Sequence, residues 1–521
     1  MDFLKRLDKR VFYPSALICL VFILWMAAMP EAAGKSINAA LNFINTTFGW
    51  LYLLLVSIFV LVCFILAFGK YGKIKLGKDD DEPEYSTFSW FAMLFSAAMG
   101  IGLIFWSIAE PMSYLVAPPV GEPNTAATAQ WSLRQTIFHW GLHPWSVYAI
   151  TGMALAYAGF RKDLPARISS IFEPVLGRNN LDGGWAKAID VFAVIASIAG
   201  VATSLGFGAM QINGGLNYLA GIPVNNSVTV VIIAVVTCLF IISAVTGIKR
   251  GILWLSNINM SLMGIMMVFL LVAGPTLYIL NSIVSATGDY LQNIAWLSFY
   301  ADPNGVYAKQ AGYDWVGGWT VFYWAWWISW GPFVGGFIAR ISKGRTVREF
   351  VLGVLIAPVL LSILWLGIFG STAIHIDLFG AGGIGEAVSK DMTSALFITL
   401  SNIPGGHVFA IVATALIATF FITSADSATF CIGMYSSGGS LEPDNGLKVF
   451  WGVIEGAVTA ALVASGGIAA LKASSILSAF PFMLIICGII YCMFKSFNEE
   501  FAPPKKLAKD ALLANREAAR G

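Results

Sequence analysis

The 521-residue sequence has few charged side chains for its size. Lys and Arg number 31, Asp and Glu 29 and His four, so charged residues make up 12% of the chain while hydrophobic residues make up 58%. A water-soluble protein of this length could not cover its surface with so few charges. Mean hydropathy is +0.76, and we therefore predict an all-α polytopic membrane protein.

Two further shortages exclude other classes of protein. The formal net charge is only +2, with acidic and basic residues interspersed, which excludes a nucleic-acid binder that works through a broad positive field. Cysteine occurs six times, inside apolar runs and without the spacing of a disulfide framework or a zinc site. The cysteines are therefore interpreted as packing residues.

A spanning helix needs about 20 mostly apolar residues, and we identify twelve such runs. They cover approximately residues 12–29, 48–69, 88–116, 131–159, 188–220, 227–247, 252–280, 316–341, 350–374, 405–435, 448–466 and 471–494. The first run also resembles a signal peptide, but its apolar stretch is longer than a usual signal core, which favours a retained span. Segments 282–300 and 383–395 are predicted to be helices on the outer surface.

The distribution of positive charge predicts the orientation of the chain. With the N-terminus inside, 26 of the 31 Lys and Arg residues fall in cytoplasmic segments. This bias predicts an even number of spans with both termini cytoplasmic. The other five lie outside or near the outer ends of spans: Lys35, Arg134, Lys309, Lys390 and Lys472.

Glycine and proline are predicted to interrupt two spans. The third span contains Met99-Gly-Ile-Gly102, and the eighth contains Trp330-Gly-Pro-Phe333. If the chain after two spans divides into five-helix halves, these spans begin the two halves, and because five is odd the halves must be inverted. Paired interruptions are typical of the midplane site of a secondary transporter. The alternative is a close helix crossing through small residues.

Hydroxyl groups on two other spans suggest an ion site. Span 10 carries Thr423 and Ser424, and span 5 carries hydroxyls within 197–204. Together with the backbone carbonyls of Ser96 and Met99, the span-10 hydroxyls would form an oxygen cage suited to sodium. Hydroxyls that bond back to their own helix are the alternative, and the spacing does not decide between the two.

Tryptophan occurs 18 times, and interfacial belts explain only part of that number. In span 4, Pro144 is predicted to bend the helix so that Trp140, Trp145 and Tyr148 converge. A cage of ring faces is a recurring site for a quaternary ammonium group, which is held by cation–π attraction. Aromatic residues also recur at helical spacing into the centre of span 8: Trp319, Tyr323, Trp326, Trp327 and Trp330.

The anionic end of a zwitterion would need a second partner. No Lys or Arg lies in the middle of spans 3, 4, 8 or 10, so freed backbone N–H groups are the candidates. Glycine at 102 favours zwitterions, because an aspartate there would instead pair with a cation that lacks a carboxylate. The candidate N–H groups are those of residues 330–333 and those of Met99, Gly100, Ile101 and Gly102.

These stretches resemble the betaine/carnitine/choline transporter family, most closely its sodium-coupled glycine betaine branch. The most specific are Met99–Gly102, Trp324–Trp330, His143–Trp145 and Ile422–Ser427. The resemblance implies twelve transmembrane helices in a LeuT-type 5+5 inverted repeat, helices 3–7 and 8–12, preceded by two extra helices, commonly as a homotrimer. The expected division is a tail at 1–11, two peripheral helices and a linker at 12–86, repeats at 87–286 and 312–494 joined by a surface segment at 287–311, and a tail at 495–521.

The resemblance also implies roles for individual residues. The trimethylammonium group is expected against Trp140, Trp145, Tyr148 and Trp327, with Trp326, Trp330 and Phe322 along the path. One sodium ion is expected among Ser96, Met99, Phe420, Thr423 and Ser424. Sodium-independent carnitine exchangers carry an arginine at the position of Met260.

The second sodium site of the glycine betaine branch matches the residues of this sequence less completely. It would involve Ser197 and Phe333, but the position of its second threonine aligns with Val201, whose side chain has no oxygen. The hydroxyl of Thr203 or of Ser204 is the alternative source of this oxygen.

We therefore expect a sodium-coupled importer of a betaine-like zwitterion, with Na⁺ as coupling ion and no other cofactor, and with lipid but no nucleic acid as a partner. A sodium-independent or proton-coupled carrier of carnitine or choline is the alternative, and the acids in or near spans are Glu110, Asp190, Asp426 and Glu455. An enzyme is disfavoured because the residues between His139 and His143 lack the glutamate of a zinc motif. A channel is disfavoured because a tight cage would slow permeation.

Overall fold

The computed structural model describes residues 7–98, 100–246 and 249–501, and this part of the chain is helical, with an isolated bridge between Lys75 and Thr346 and no strand. Its α-helices are, in chain order, α1 (Lys9–Ala28), α2 (Pro30–Phe68), α3 (Thr87–Ala98), α4 (Ile101–Val116), α5 (Ala126–Trp140), α6 (Leu142–Ala156), α7 (Glu173–Leu176), α8 (Gly184–Ala220), α9 (Asn226–Thr246), α10 (Lys249–Ala273), α11 (Thr276–Phe299), α12 (Val306–Ala311), α13 (Phe322–Arg340), α14 (Val347–Phe379), α15 (Ile384–Lys390), α16 (Ala395–Ser401), α17 (Gly406–Ser436) and α18 (Asn445–Glu500).

Within the described ranges, eight helices are long and apolar enough to cross a membrane. This confirms a polytopic helical membrane protein. The eight segments are Lys9–Ala28, Pro30–Phe68, Gly184–Ala220, Asn226–Thr246, Leu255–Ala273, Val347–Phe379, Gly406–Ser436 and Asn445–Glu500.

The third and fourth predicted spans are each built from two shorter helices. α3 and α4 have 12 and 16 residues and meet at Gly100, whose φ and ψ of −136° and −93° are not helical, as the sequence predicted. α5 and α6 have 15 residues each and meet at Gly141, at −87° and −134°. The predicted bend at Pro144 is therefore wrong. Pro144 lies in the first turn of α6, where its missing N–H removes no helical hydrogen bond.

The predicted interruption of the eighth span is also wrong, because α13 runs without a break through Gly331 and Pro332. Its small residues serve close packing instead. A Cβ on Gly335 would lie 2.8 Å from Cγ2 of Thr151 in α6. The hydroxyl of Tyr435 in α17 donates to the carbonyl of Pro332 at 2.5 Å. The close helix crossing, the alternative for this sequence pattern, is the one observed.

α18 contains the last two predicted spans. A straight helix of its 56 residues would be about 84 Å long, far more than a bilayer requires. Gly467 divides it, with a φ of 55° and a ψ of −135°. A positive φ is readily adopted by glycine but not by residues with a Cβ. The division lies in the gap predicted between residues 466 and 471.

The helices pack around α8, α13, α17 and α18. α8 lies against α17 and α18, while α13 lies against α6, α8 and α18. Helices farther out expose apolar side chains, as Val231 and Ile242 of α9 do with exposed fractions of 61% and 60%. The residues of α13 from 322 to 336 are all buried, so this aromatic helix lies at the centre of the molecule.

Both predicted surface segments are helical. α11 begins at Thr276, earlier than expected, and runs through the segment predicted at 282–300. The segment predicted at 383–395 contains α15 and a 3₁₀ turn that leads into α16.

Candidate functional site

The N–H groups in the first turn of α4 have no hydrogen-bond partner within that helix. Its hydrogen-bond ladder starts with the N–H of Ile104, which donates to the carbonyl of Gly100 at 3.2 Å. The N–H groups of Ile101 and Gly102 therefore precede the ladder, and together with the helix dipole they favour an anion. Met99 lies outside the described residues. The other predicted donors, at 330–333, belong to the uninterrupted α13 and are not freed.

Gly102 brings this helix start into contact with two indole rings. A Cβ on Gly102 would lie 2.6 Å from Cη2 of Trp326 and 3.1 Å from Cη2 of Trp140. A Cβ on Gly100 would lie 2.5 Å from Cδ1 of Phe420 in α17. These distances leave no room for a larger residue, so glycine allows α4 to begin directly beside α5, α13 and α17.

Two of the four residues predicted against the trimethylammonium group, Trp140 and Trp327, form one aromatic cluster with the path residue Trp326. The rings of Trp140 and Trp327 have centroids 4.8 Å apart at an interplanar angle of 71°. Trp326 stacks on Trp327 at 4.8 Å and 15°. Tyr323 adds a fourth ring, 5.7 Å from Trp140 and 5.9 Å from Trp327. All four side chains are buried. A group of packed aromatic rings therefore adjoins the start of α4.

Trp145 and Tyr148 form a separate pair on α6. Their centroids lie 5.7 Å apart at 86°, and both side chains are fully buried. Neither Nε1 of Trp145 nor Oη of Tyr148 has a hydrogen-bond partner among the residues that the structure describes. An unpaired buried donor costs about 1–3 kcal/mol, so both groups are candidates for contact with a ligand. Their convergence with Trp140 on one ligand stays a prediction.

Three of the four indoles of α13, those of Trp326, Trp327 and Trp330, are held by their N–H groups, which fixes the direction of their faces. Each Nε1 donates to an oxygen of a neighbouring helix: Trp326 to Oγ of Ser204 at 3.1 Å, Trp327 to the carbonyl of His139 at 3.1 Å, and Trp330 to the carbonyl of Gly200 at 2.8 Å. Phe322 stacks on Trp326 with centroids 5.6 Å apart. Trp330 also lies 6.3 Å from Trp326 between ring centroids, so the other two predicted path residues are joined to the cluster through Trp326.

One of the predicted sodium ligands on α17, Phe420, lies next to the helix break. Phe420, Thr423 and Ser424 are buried, and the ring of Phe420 contacts the break. The hydroxyl of Thr423 donates to carbonyls three and four residues earlier, both at 3.2 Å, so it bonds back to its own helix while its oxygen can still face a cation. Met99 and the side chain of Ser96 lie outside the described residues, and the cage stays a prediction.

The residues of the second sodium site have protein partners. The hydroxyl of Ser197 donates within α8 at 2.8 Å, and the carbonyl of Phe333 accepts a weak bond from Cys431 at 3.5 Å. Of the two substitutes, Thr203 bonds to α18, and Ser204 accepts the bond from the Trp326 indole. The second site also stays a prediction.

Glu110 of α4 is the site residue that sequence reasoning undervalued, since it was noted only as an acid near a span. Its fully buried carboxylate has four neighbours from α4, α5 and α13: Tyr114 Oη at 3.0 Å, His139 Nδ1 at 2.7 Å, Trp140 Nε1 at 2.8 Å and Tyr323 Oη at 2.5 Å. Glu110 therefore orients Trp140 and Tyr323, two rings of the cluster.

The other acids and the histidine pair have separate partners. Ser169 donates to Asp190 at 2.7 Å, Ser243 to Asp426 at 2.8 Å and Thr429 to Glu455 at 2.9 Å. Asp426 is thus bonded to the neighbouring α9. His139 contacts Glu110, whereas His143 lies 3.0 Å from the hydroxyl of Ser298. Over the described ranges, no group of three or more His, Cys, Asp or Glu side chains could hold a metal ion.

Comparison with known proteins agrees with this geometry. Residues 10–502 match the sequence profile of the BCCT family, described as betaine/carnitine/choline family transporter. The chain is 49% identical over 507 residues to the glycine betaine transporter OpuD of Bacillus subtilis, covering 97% of each protein. It is 46% identical to a probable glycine betaine transporter of Desulfitobacterium hafniense, covering 95% of this chain and 99% of the relative.

An ectoine/hydroxyectoine transporter of Virgibacillus pantothenticus is 41% identical over 507 residues, covering 97% of this chain and 99% of the relative. The extent of these matches identifies a multi-pass membrane transporter and not an enzyme. The chain belongs to the betaine/carnitine/choline family of transporters.

Proposed function

We propose that the protein imports a betaine-like zwitterion, principally glycine betaine, in symport with sodium by alternating access. The position of Gly102 carries this proposal. Its N–H lies at the start of α4, where a carboxylate is favoured, and its backbone lies directly against the indoles of Trp140 and Trp326. Trp327 adjoins both rings. Donors for an anion and ring faces for a quaternary ammonium thus lie side by side.

The names of the relatives support this substrate class. Two are glycine betaine transporters by name, and one is an ectoine/hydroxyectoine transporter. Ectoine is accordingly a second candidate substrate. In the proposed complex, the trimethylammonium group lies against Trp140, Trp145, Tyr148 and Trp327.

Sodium is the proposed coupling ion. Its ligands would be oxygens of Ser96, Met99, Phe420, Thr423 and Ser424, and the proximity of Phe420 to Gly100 supports such a site at the helix break. A second ion at Ser197 and Phe333 is a weaker proposal, because both oxygens have partners. Proton coupling or sodium-independent exchange is the alternative mechanism.

The proposed architecture is a LeuT-type fold of twelve spans in a homotrimer, with both termini on the cytoplasmic side of a bacterial inner or plasma membrane. The paired helices α3–α4 and α5–α6 would each make one span, and Gly467 would divide α18 into two. The inverted repeats would occupy 87–286 and 312–494.

Uptake of radiolabelled glycine betaine into proteoliposomes tests the proposal. We expect accumulation driven by an inward sodium gradient and not by a proton gradient alone. Trp327→Leu should reduce uptake at least tenfold, whereas Trp185→Leu, which changes a tryptophan exposed to 81%, should behave like the wild type. Uptake that is indifferent to sodium would refute symport, and full activity of Trp327→Leu would refute the aromatic site.

A further inference from the structure

Lys472 places its ammonium group among three aromatic rings. This residue follows the Gly467 bend in α18 by five positions. Its Nζ lies 4.3 Å from the ring centroid of Trp319, 4.6 Å from that of Phe322 and 5.1 Å from that of Trp106. Several rings around one ammonium form a cation–π site, to which the Gly318 carbonyl adds an acceptor at 3.3 Å.

The rings around Lys472 are continuous with the aromatic cluster of the candidate site. Trp319 lies in the π-helical turn that leads into α13, and Tyr323 and Trp327 of α13 follow it at four-residue intervals. Successive ring centroids lie 6.4 and 5.9 Å apart, with an interplanar angle of 24° in each pair. Phe322 likewise stacks on Trp326 at 5.6 Å and 17°. One surface of ring faces therefore extends from the Lys472 ammonium to the rings of Trp326 and Trp327.

The Lys472 ammonium and a quaternary ammonium group carry the same charge and are attracted to the same ring faces. Two cations in one such cage would repel each other, so only one can occupy it. Lysine has a long, flexible side chain, and Lys472 as a whole is partly exposed although its ammonium lies among the rings. Displacement of the ammonium therefore requires the side chain to turn towards the exposed part of the residue.

We propose that Trp106, Trp319 and Phe322 form a second cation site, that the Lys472 ammonium is its resident occupant, and that the substrate's quaternary ammonium must displace Lys472 to reach Trp327. This inference rests on the proposed function. Lys472 acts as a tethered competitor that covers the aromatic surface at the end where α13 begins.

Two substitutions separate this role from a merely structural one. Lys472→Met removes the charge and keeps the chain length, while Lys472→Arg keeps a cation that also binds ring faces. Lys390→Met is the matched control, since its side chain is 73% exposed and pairs with Glu386. Glycine betaine uptake into proteoliposomes is measured for each variant, with tetramethylammonium as an inhibitor that lacks a carboxylate.

We expect Lys472→Met to lower both the apparent KM for glycine betaine and the tetramethylammonium concentration for half-inhibition, each about three- to tenfold. Lys472→Arg and Lys390→Met should match the wild type. If both values are unchanged in Lys472→Met, the proposal is wrong. A raised KM with unchanged inhibition also overturns it, because the ammonium would then pair with the substrate carboxylate.

A second variant and a second measurement test the same role of Lys472. If Lys472→Met does not fold, Lys472→Gln also removes the charge while leaving the rings in place and should also lower the apparent KM, and a KM equal to that of the wild type would overturn the proposal. If the wild type transports no betaine, the proposed function fails separately. Quenching of tryptophan fluorescence by tetramethylammonium in detergent still compares the wild type with Lys472→Met, and equal affinities would overturn the second cation site.

Discussion

The indole N–H of Trp140 donates to Oε2 of Glu110 at 2.8 Å, so the orientation of an aromatic ring in the candidate site depends on a buried carboxylate. The same oxygen accepts from the hydroxyl of Tyr323 at 2.5 Å. Glu110 thereby joins the end of α5 to the first turn of α13.

Replacement of Glu110 by glutamine should impair transport strongly. The amide of Glu110→Gln presents a donor where the carboxylate only accepts, which leaves at least one buried donor unpaired at a cost of about 1–3 kcal/mol. We expect the ratio kcat/KM for glycine betaine to fall tenfold or more in proteoliposomes. Glu31→Gln, at an exposed position at the start of α2, is the control. Normal uptake by Glu110→Gln would show that the carboxylate does not position the rings.

A single methyl group at residue 102 should block the site. The Cβ of Gly102→Ala would lie 2.6 Å from Trp326, so either the indole or α4 must move. Binding of glycine betaine, followed by tryptophan fluorescence, should weaken at least tenfold. Gly288→Ala on α11 is the matched control, because a Cβ there has nothing within 4 Å. Equal affinities of the two variants would contradict the close approach of α4 to the indoles.

The hydroxyl of Thr423 is expected to coordinate the sodium ion. Thr423→Val keeps the shape of the side chain and removes the oxygen, so the sodium concentration for half-maximal uptake should rise about tenfold or more, with a smaller effect on substrate binding measured at saturating sodium. Thr419→Val, one turn earlier on α17, removes a hydroxyl that bonds to its own helix and should leave this concentration unchanged. An identical sodium dependence in both variants would place the ion elsewhere.

An ion-pair cluster outside the spans should make stability depend on pH. Lys187 and Arg167 hydrogen-bond to Asp182 and lower the pKa of its carboxyl to about 2. Because the folded-state pKa is lowered, the ionised form stabilises the fold at neutral pH, and this contribution is lost as the pH falls from about 4 towards 2.

We expect Asp182→Asn to lower the free energy of unfolding at pH 7 by less than about 1 kcal/mol, because a side chain that is 77% exposed is screened by solvent. Thermal unfolding in detergent should show the difference from the wild type shrinking below pH 4. Asp80→Asn, an exposed aspartate without such partners among the described residues, serves as the control. A difference that grows on acidification would contradict the assigned ion pairs.

The sequence predicted the features that depend on local pattern. The break before Gly102 and the aromatic spacing of α13 were both recognised, because glycine pairs and four-residue intervals are readable along the chain. Gly141 was missed because Pro144, three residues later, is the stronger local signal for a bend. Only the structure shows Tyr290, whose hydroxyl accepts from the N–H of Leu142 at 3.2 Å and stabilises the start of α6.

Features that depend on distant residues were not predictable in the same way. The role of Glu110 depends on side chains up to 213 positions away, and no spacing rule connects them. Gly331-Pro332 has the composition of a helix break, yet the neighbouring Tyr435 contacts the helix at Pro332. Contacts between distant helices therefore determine both the role of Glu110 and the continuity of α13.

The tethered indoles have a consequence for selectivity. An indole can donate a hydrogen bond but cannot accept one, and the N–H groups of Trp326, Trp327 and Trp330 are already bonded to protein oxygens. A primary ammonium that entered between these three indoles would lose its bonds to water and, unlike the Lys472 ammonium beside the Gly318 carbonyl, would find no acceptor on the indole rings. A fully methylated nitrogen has no N–H group and therefore loses no hydrogen bond when it enters the cluster. The cluster would thus favour a betaine over the parent amino acid, because only the amino acid has ammonium N–H groups that would lose their hydrogen bonds there.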